Sequence, residues 1–190
     1  MLNRNEIFLR LSPSLYETPK NISDSVPFRV AAVLVIIHYN GDIPHLLLTK
    51  RSSRITAHAN EVSFPGGSFD KADISLADTA IRETKEEIGL HFQKSDLIGH
   101  LAVVRTLTSN FIIYPFVTLQ DKTLAPIILN DEVQDIIDAP LLATLKTMDK
   151  DYYHSYLEDT YKFTYRSEVI WGATARILKQ LYDCLCRKHK

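Results

Sequence analysis

The chain alternates between short apolar runs and polar turns, a pattern that predicts strands interleaved with helices. Residues 29–38 read RVAAVLVIIH, a nearly unbroken apolar run rich in β-branched side chains, as in a strand buried on both faces. A turn signal at residues 39–42, YNGD, separates this run from a returning strand at residues 45–50. Further strands are predicted at residues 61–64, 97–106, 111–119 and 132–137, and an aromatic-rich hairpin at residues 152–157 and 161–165.

Helical spacing of apolar residues predicts the remaining elements. Residues 76–88 are expected to form an amphipathic helix, with Ser75 as N-cap and Gly89 at the C-cap. Other helices are predicted at residues 3–11, 140–145 and 172–185. This order of strands and helices predicts an α/β fold built around a mixed sheet.

The chain is expected to contain one main domain. Residues 28–190 show no linker long enough to separate a second domain. Residues 1–27 are expected to be an N-terminal extension that packs on the domain or precedes it, because their second half is rich in Pro, Ser and Asn.

Charge and composition exclude several classes of function. The formal net charge of -1 at pH 7 gives no sign of a bulk nucleic-acid or polybasic membrane partner. The longest apolar stretch, residues 30–37, is too short to cross a bilayer, and residues 1–10 lack the apolar run of a signal peptide. Cys184 and Cys186 are too close in sequence for a relaxed disulfide, so free thiols and a cytoplasmic location are expected.

The candidate chemistry is concentrated in residues 64–90, FPGGSFDKADISLADTAIRETKEEIGL. Glu83, Glu86 and Glu87 are spaced i, i+3 and i+4, which places their carboxylates on one side of the predicted helix. Such like charges destabilise an isolated helix by roughly 0.2–0.5 kcal/mol per pair, a penalty that a bound cation removes. Oxygen ligands without Cys or His on that side select Mg²⁺ or Mn²⁺ over zinc.

Residues on either side of these acids support a binding site. Arg82 adjoins the acidic side and is expected to orient one carboxylate through a charge-assisted pair. Gly66 and Gly67 lack Cβ atoms and let the backbone come close to a metal or a phosphate. An acidic helix side alone is more often only solvated surface, but the glycine turn before it and Gly89 after it argue against that interpretation.

The same segment resembles the Nudix box. In that pattern Gly, five residues and Glu are followed by seven residues and Arg-Glu-apolar-x-Glu-Glu-x-Gly-apolar. Counted from Gly67, Asp73 takes the first acidic position, with eight rather than seven residues before Arg82, and Thr84 takes a usually apolar position. The extra residue precedes the core of the helix and leaves the spacing of its acids unchanged.

The resemblance implies a Nudix-type α/β/α sandwich and hydrolysis of a nucleoside diphosphate linked to another group, with Mg²⁺ or Mn²⁺ as cofactor. It implies that Glu86, Glu87 and the carbonyl of Gly67 are metal ligands. It makes Glu83 either a ligand or the group that handles the attacking water. Glu132, in the segment NDEV, is the candidate for a further acid near the metal; the alternative is an ordinary loop acid.

Segments outside the box resemble coenzyme A pyrophosphatases. They include LLTKRS at residues 47–52, VSFPGG at 62–67, YPF at 114–116 and IWGATA at 170–175. They imply coenzyme A or acyl-coenzyme A as substrate, cut to 4'-phosphopantetheine and 3',5'-ADP. Thr56 and Asn60 replace an Arg and a Gly of that signature, which favours other substrates: ADP-ribose, NADH, a dinucleoside polyphosphate or a damaged nucleotide.

Five residues are candidate contacts to such a small-molecule nucleotide. Lys50 and Arg51 are candidate phosphate contacts, and Arg54 is a candidate substitute for the Arg that the signature lacks here. His58 is a candidate proton-transfer group or substrate contact, and Phe111 a candidate stacking surface for a base. Each is also open to an ordinary structural interpretation. A nucleotide-binding module without activity remains an alternative, and the apolar strands and aromatic hairpin are compatible with a homodimer.

Overall fold

The computed structural model describes residues 2–17, 28–54, 59–106, 109–154 and 160–186. The helices are α1 (Arg4–Leu11), α2 (Leu76–Ile88), α3 (Leu141–Leu145) and α4 (Gly172–Leu185). The strands are β1 (Arg29–Asn40), β2 (Ile43–Arg51), β3 (Val62–Ser63), β4 (Gly66–Ser68), β5 (Leu97–His100), β6 (Val104–Arg105), β7 (Phe111–Leu119), β8 (Val133–Pro140), β9 (Asp149–Lys150), β10 (Tyr161–Tyr165) and β11 (Glu168–Ile170).

β1 is the central strand of a mixed sheet. It pairs antiparallel with β2 through residues 36–40 and parallel with β7 through residues 29–37. β3 and β8 pair with β2, β5 and β6 pair with β7, and β4 pairs with the first half of β1. Within the described residues this sheet has eight strands, and a second sheet has the order β11-β10-β9.

Helices cover both faces of the large sheet. Alternate residues of β1, among them Ala32, Leu34 and Ile36, pack against α2, and we call this side the α2 face. The residues between them, such as Val35 and Ile37, pack with α1, α3 and α4, and we call this side the α4 face. The predicted α/β/α sandwich around a mixed sheet is therefore confirmed, and the apolar run of β1 is explained by burial on both faces.

α2 has the bounds that its caps predict. The backbone N–H of Asp78 donates to Oγ of Ser75 at 3.3 Å. At the other end Gly89 takes the left-handed conformation, with φ 69. The caps define the ends of α2 because the first N–H and last C=O groups of a helix have no partners within it.

The connection between β7 and β8 is attached to the end of α2. The backbone N–H of Ile127 donates to the carbonyl of Ile88, and that of Leu129 to the carbonyl of Glu87, both at 3.0 Å. These bonds satisfy carbonyls that the helix end leaves free. They also fix the chain just before Glu132 beside the acidic helix.

Three predicted strands differ from the structure. Residues 97–106 form two short strands, with a register shift near Gly99, rather than one. The strand predicted at residues 132–137 extends to Pro140. The predicted aromatic hairpin is wrong in its pairing, because β10 pairs with β11 and β9, while residues 152–154 are not in a strand and 155–159 lie outside the described residues. Arg166 at φ 52 lies in the turn of the actual hairpin, and a non-glycine residue there gives little turn signal.

The N-terminal helix packs on the domain. Ile7 and Leu11 of α1 are fully buried in the cluster on the α4 face. Tyr16 forms an antiparallel bridge with His100. Residues 2–17 therefore contribute to the same core as the sheet.

Two expectations from composition concern membranes and thiols. No helix in the described part of the chain is long and apolar enough to span a membrane. Cys184 and Cys186 are free, as their spacing predicts.

Replacing Gly89 with Ala is expected to destabilise the fold more than the same change at Gly41. Both glycines are left-handed, with φ 69 and φ 59, a conformation that costs other residues roughly 1–2 kcal/mol. A Cβ at Gly89 would also lie 2.9 Å from Cγ1 of Ile127, whereas one at Gly41 would meet no atom of the described residues within 4 Å. Denaturant unfolding of the two variants measures the difference; equal losses in the free energy of unfolding would show that the contact with Ile127 is unimportant.

Candidate active site

The glycine turn lies directly beside the acidic side of α2. In the pairing of β4 with β1, Gly66 is opposite Val33 and Gly67 is opposite Ala32. Gly66 has φ 147, and a Cβ there would lie 2.5 Å from the Cα of Val33. Only glycine fits this position, because other residues avoid the conformation and would collide with the neighbouring strand.

Gly67 brings the backbone against the carboxylate of Glu83. A Cβ added at Gly67 would lie 2.5 Å from Cδ of Glu83 and 2.7 Å from each of its carboxylate oxygens. Any side chain at Gly67 would therefore displace the carboxylate.

Arg82 holds three acids in place. Its Nε and Nη2 donate to the two carboxylate oxygens of Asp73 at 2.9 and 3.0 Å, a bidentate pair. Its Nη1 donates to Glu83 at 2.8 Å and to Glu86 at 3.1 Å. Hydrogen bonding to Arg82 is the main cause that lowers the pKa of Asp73 to about 2, and the hydroxyl of Thr79 adds a second bond at 2.8 Å. The extra residue between Asp73 and Arg82 therefore does not prevent their pairing.

Glu87 is the most deeply buried of the three glutamates. It is 6% exposed, and its Oε2 accepts a hydrogen bond from the backbone N–H of Gly66 at 3.2 Å. Burial is the main cause that raises the pKa of Glu87 to about 8, with the charge of Glu83 adding to the effect and that of Arg51 opposing it. Burial likewise raises the pKa of Glu83. Such carboxylates are stabilised by a nearby cation, so the donor set fits a hard divalent metal ion.

Arg51 and Glu132 lie next to this cluster. Nη2 of Arg51 is 3.3 Å from Oε2 of Glu132. Burial is the largest cause of the raised pKa of Glu83 and of Glu87, and the negative charge of Glu132 is a smaller cause that acts in the same direction on both. Glu132 is therefore close enough to interact electrostatically with the two glutamates. Nε of Arg51 is buried without a hydrogen-bond partner among the described residues.

Lys50 and Phe111 are not brought together with the acids. Nζ of Lys50 is 2.8 Å from Oε1 of Glu168 on β11, which lies on the α4 side of the sheet. Successive residues of a strand point to opposite faces, so Lys50 and its neighbour Arg51 diverge. The guanidinium of Arg29 lies 4.4 Å from the centre of the Phe111 ring. Both assignments as substrate contacts stay predictions.

Two further predicted contacts precede β3. The side chain of Arg54 is exposed, and its backbone N–H donates to Oγ of Ser52 at 3.3 Å. His58, like Thr56, lies outside the described residues.

In the fold, Arg82 pairs with Asp73 and Lys50 pairs with Glu168. The first acidic position of the box, which Asp73 occupies, is the sequence signal that could have indicated its pairing with Arg82. Nothing in the sequence indicates the pairing of Lys50 with Glu168, because 118 residues separate them.

The metal-free protein is expected to lose stability as the pH rises from about 5 to about 9. In the folded protein the pKa of Glu87 is about 8, above the 4.5 of an ordinary glutamate, so folding favours the protonated form. The contribution of protonated Glu87 to the stability of the folded state is fully present below pH 4.5 and is lost as the pH rises through about 8. The loss, on the order of 1 kcal/mol or more, is measured by thermal unfolding in the presence of a chelator. Glu87→Gln cannot ionise and should flatten the profile; identical profiles for the two proteins would show that Glu87 ionises normally.

Comparison with known proteins places this geometry in a family. A family model described as NUDIX domain matches residues 27–158. The protein described as uncharacterized Nudix hydrolase NudL of Photorhabdus laumondii is 34% identical over 185 residues, which is 95% of this chain and 97% of that protein. NudL of Yersinia enterocolitica, described in the same words, is 33% identical over 171 residues, 87% of this chain and 86% of that protein.

Solved structures share the fold. The MutT/nudix family protein from Enterococcus faecalis has a TM-score of 0.61 at 13% identity, over 86% of this chain and 64% of that chain. The NUDIX domain of Shewanella oneidensis NrtR, solved with ADP ribose, has a TM-score of 0.54 at 20% identity, over 66% of this chain and 82% of that chain. The family match, the two NudL relatives and this common fold show that the chain belongs to the Nudix hydrolase family.

Proposed function

We propose that the protein is a Mg²⁺- or Mn²⁺-dependent pyrophosphohydrolase that cuts coenzyme A or acyl-coenzyme A into 4'-phosphopantetheine, or its acyl derivative, and 3',5'-ADP. As a Nudix hydrolase it acts on nucleoside diphosphate derivatives, and the group linked to the diphosphate is the part that we propose. The chemistry is supported most directly by the contacts of Glu83 and Glu87 with the glycine turn. These contacts place the carboxylates of α2 beside backbone atoms that no side chain covers.

Two glutamates and one backbone carbonyl form the core of the proposed metal site. The ligands are Glu86, Glu87 and the carbonyl of Gly67, and Glu83 either joins them or handles the attacking water. When bound, the cation neutralises charge on the pyrophosphate and makes a bound water more acidic. The buried Glu87, whose pKa is about 8 without a cation, gains the counter-charge that it lacks.

Glu83 is the residue that we assign to proton transfer. Burial is the main cause that raises the pKa of Glu83, and a general base works best when its pKa lies closer to neutral pH. Nη1 of Arg82 at 2.8 Å and the backbone of Gly67 fix its orientation. As the oxygen of water bonds to one phosphorus, Glu83 accepts its proton. The bridging P–O bond breaks, and its electron pair leaves with the other phosphate.

Arg51 is the proposed contact to the diphosphate. Its side chain is 29% exposed, its Nη2 lies 3.3 Å from Oε2 of Glu132, and its charge acts on the buried Glu87. A partly exposed guanidinium beside the proposed metal site suits a phosphate oxygen, which accepts charge-assisted hydrogen bonds. Glu132 would then position Arg51 or add a ligand to the metal site.

The choice of coenzyme A rests on the motifs that flank the box and on the backbone at Asn60. Asn60 replaces the Gly of the coenzyme A pyrophosphatase signature and has φ 61. This left-handed conformation is easy for Gly, and Asn adopts it more readily than most other residues. The backbone at Asn60 therefore keeps the left-handed conformation that the Gly of the signature can adopt, and this supports coenzyme A as the substrate.

A different Nudix substrate is the second candidate. Thr56 removes an arginine from the signature, and this favours ADP-ribose, NADH or a dinucleoside polyphosphate. Nucleotide binding without turnover is a third candidate, opposed by the complete set of glutamates. Arg54, His58 and Phe111 as substrate contacts, a cytoplasmic location and a homodimer remain predictions.

Incubation of the protein with Mg²⁺ and coenzyme A is expected to yield 4'-phosphopantetheine and 3',5'-ADP, detected by mass spectrometry. Glu86→Gln is expected to lower turnover by roughly two orders of magnitude or more, because it removes a proposed metal ligand. Glu17→Gln, the same change at an exposed site, is the matched control and should keep the wild-type rate.

The outcomes separate the candidates. Cleavage of ADP-ribose, NADH or a dinucleoside polyphosphate but not of coenzyme A would refute the substrate assignment and retain the chemistry. Nucleotide binding with no turnover in Mg²⁺ or Mn²⁺ would identify a binding module. A normal rate in Glu86→Gln would refute the metal assignment.

Gly67→Ala is expected to lower kcat by about 100-fold while the melting temperature changes little. The added Cβ displaces the flexible end of Glu83 rather than backbone, so the loss falls on activity and not on folding. Ser68→Ala, at the exposed neighbouring position, is the matched control. Steady-state kinetics and thermal unfolding measure the two effects; full activity in Gly67→Ala would exclude the proposed role of Glu83.

A further inference from the structure

A second cluster of ligand-type side chains lies on the α2 face of the sheet, away from the box. It consists of His38, His45 and Asp138. Nε2 of His38 and Nδ1 of His45 lie 3.0 and 2.8 Å from the same carboxylate oxygen, Oδ1 of Asp138. The three ligand atoms all lie within 4.8 Å of one another.

The strand register brings these residues together. His38 on β1 is directly opposite His45 on β2. Asp138 on β8 is opposite Leu47, two residues further along β2, and therefore on the same face as His45. Three adjacent strands thus supply one ligand each, and their ladder hydrogen bonds hold the ligands in place. Six residues of extended strand, about 20 Å, separate His38 from Ala32, which pairs with Gly67 of the box.

Burial of the cluster decreases from one ligand to the next. The side chain of His38 is fully buried, that of His45 is 12% exposed and that of Asp138 is 39% exposed. A fixed inner ligand and a solvent-facing outer one leave one side open, through which an ion and a water molecule can reach the cluster. In the proposed active site, by contrast, all side-chain ligands are carboxylates.

The donor types select the ion. Two imidazole nitrogens and a carboxylate suit Zn²⁺ and related d-block cations, whereas Mg²⁺ prefers oxygen alone. Bonds from Zn²⁺ to nitrogen or oxygen are about 2.0–2.1 Å, which separates ligand atoms in a tetrahedron by about 3.3 Å. The two histidine nitrogens lie 3.0 and 2.8 Å from Oδ1 of Asp138, slightly less than this value, so a small opening of the cluster makes room for an ion.

The ring proton of His38 must move when a metal binds. The backbone N–H of Leu124 approaches Nδ1 of His38 at 3.4 Å, which favours the proton on Nε2 in the metal-free protein. Ligation through Nε2 by the neutral ring places this proton on Nδ1, and the contact with the N–H of Leu124 is then lost. That contact is longer than an ordinary N–H hydrogen bond, so its loss is a small penalty.

We propose that His38, His45 and Asp138 form a binding site for Zn²⁺, or a similar d-block divalent cation, that joins β1, β2 and β8. The fourth ligand is water. The site is structural and independent of the metal that the box binds.

Zinc retention in excess Mg²⁺ tests the site. The full chain is stripped with a chelator, loaded with Zn²⁺ and dialysed against Mg²⁺, and bound zinc is measured by atomic absorption. One zinc per chain is expected to remain, and zinc is expected to raise the melting temperature. Co²⁺ in place of Zn²⁺ should give the intense visible bands of tetrahedral nitrogen and oxygen ligation.

Variants assign the bound ion. Asp138→Asn keeps the size and acceptor oxygen of the residue and is expected to weaken zinc binding at least about tenfold. His45→Gln, at a partly exposed position, should do the same if Asp138→Asn folds poorly. Glu86→Gln and the exposed His91→Gln should retain the zinc. Absence of retained zinc, or retention unchanged in both cluster variants, would overturn the proposal and leave a hydrogen-bonded cluster only.

Discussion

The close approach of two carboxylates to the backbone of Gly66 and Gly67 is the constraint on which the rest of the site depends. Glu87 accepts a hydrogen bond from Gly66, and the carboxylate of Glu83 occupies the space where a side chain at Gly67 would lie. This packing requires β4 to pair with β1 and α2 to lie across the same face. It also buries negative charge, which is costly unless a cation or a proton compensates it.

Two arginines compensate this charge only in part, and they do so differently. Arg82 makes a bidentate pair with Asp73 and reaches two glutamates from within the helix, so it mainly holds acids in position. Arg51 comes from a different element and pairs with Glu132, with its Nε left unsatisfied among the described residues. The remaining negative charge is what makes a divalent cation a good fit, while the partly exposed guanidinium of Arg51 suits a phosphate oxygen.

Local signals explain which parts of the structure could be predicted. The bounds of α2 follow from Ser75 and Gly89, and the common side of its three acids follows from helix geometry alone. The burial of β1 on both faces follows from its composition. Contacts between distant segments have no such signal. The pairing of Lys50 with Glu168 needs the second sheet to be in place, and β11, one of the two partners of β10, lies across a turn at Arg166 that lacks glycine. The pKa of Glu87 likewise depends on burial by other elements, so spacing reveals its position but not its chemistry.

The attachment of the β7–β8 connection to α2 limits how this loop can vary in length. Ile127 and Leu129 are hydrogen-bonded to the last turn of the helix, and Glu132 follows Leu129 after only two intervening residues. An insertion between Leu129 and Glu132 would detach the acid from its place near the glutamates. Among the described residues, no backbone hydrogen bond joins the exposed bend at Asp121 and Lys122, just after β7, to the helix end. Length variation among related proteins, and grafted sequences in engineered ones, should therefore be accommodated at the start of the loop, near Asp121 and Lys122, and not in its second half.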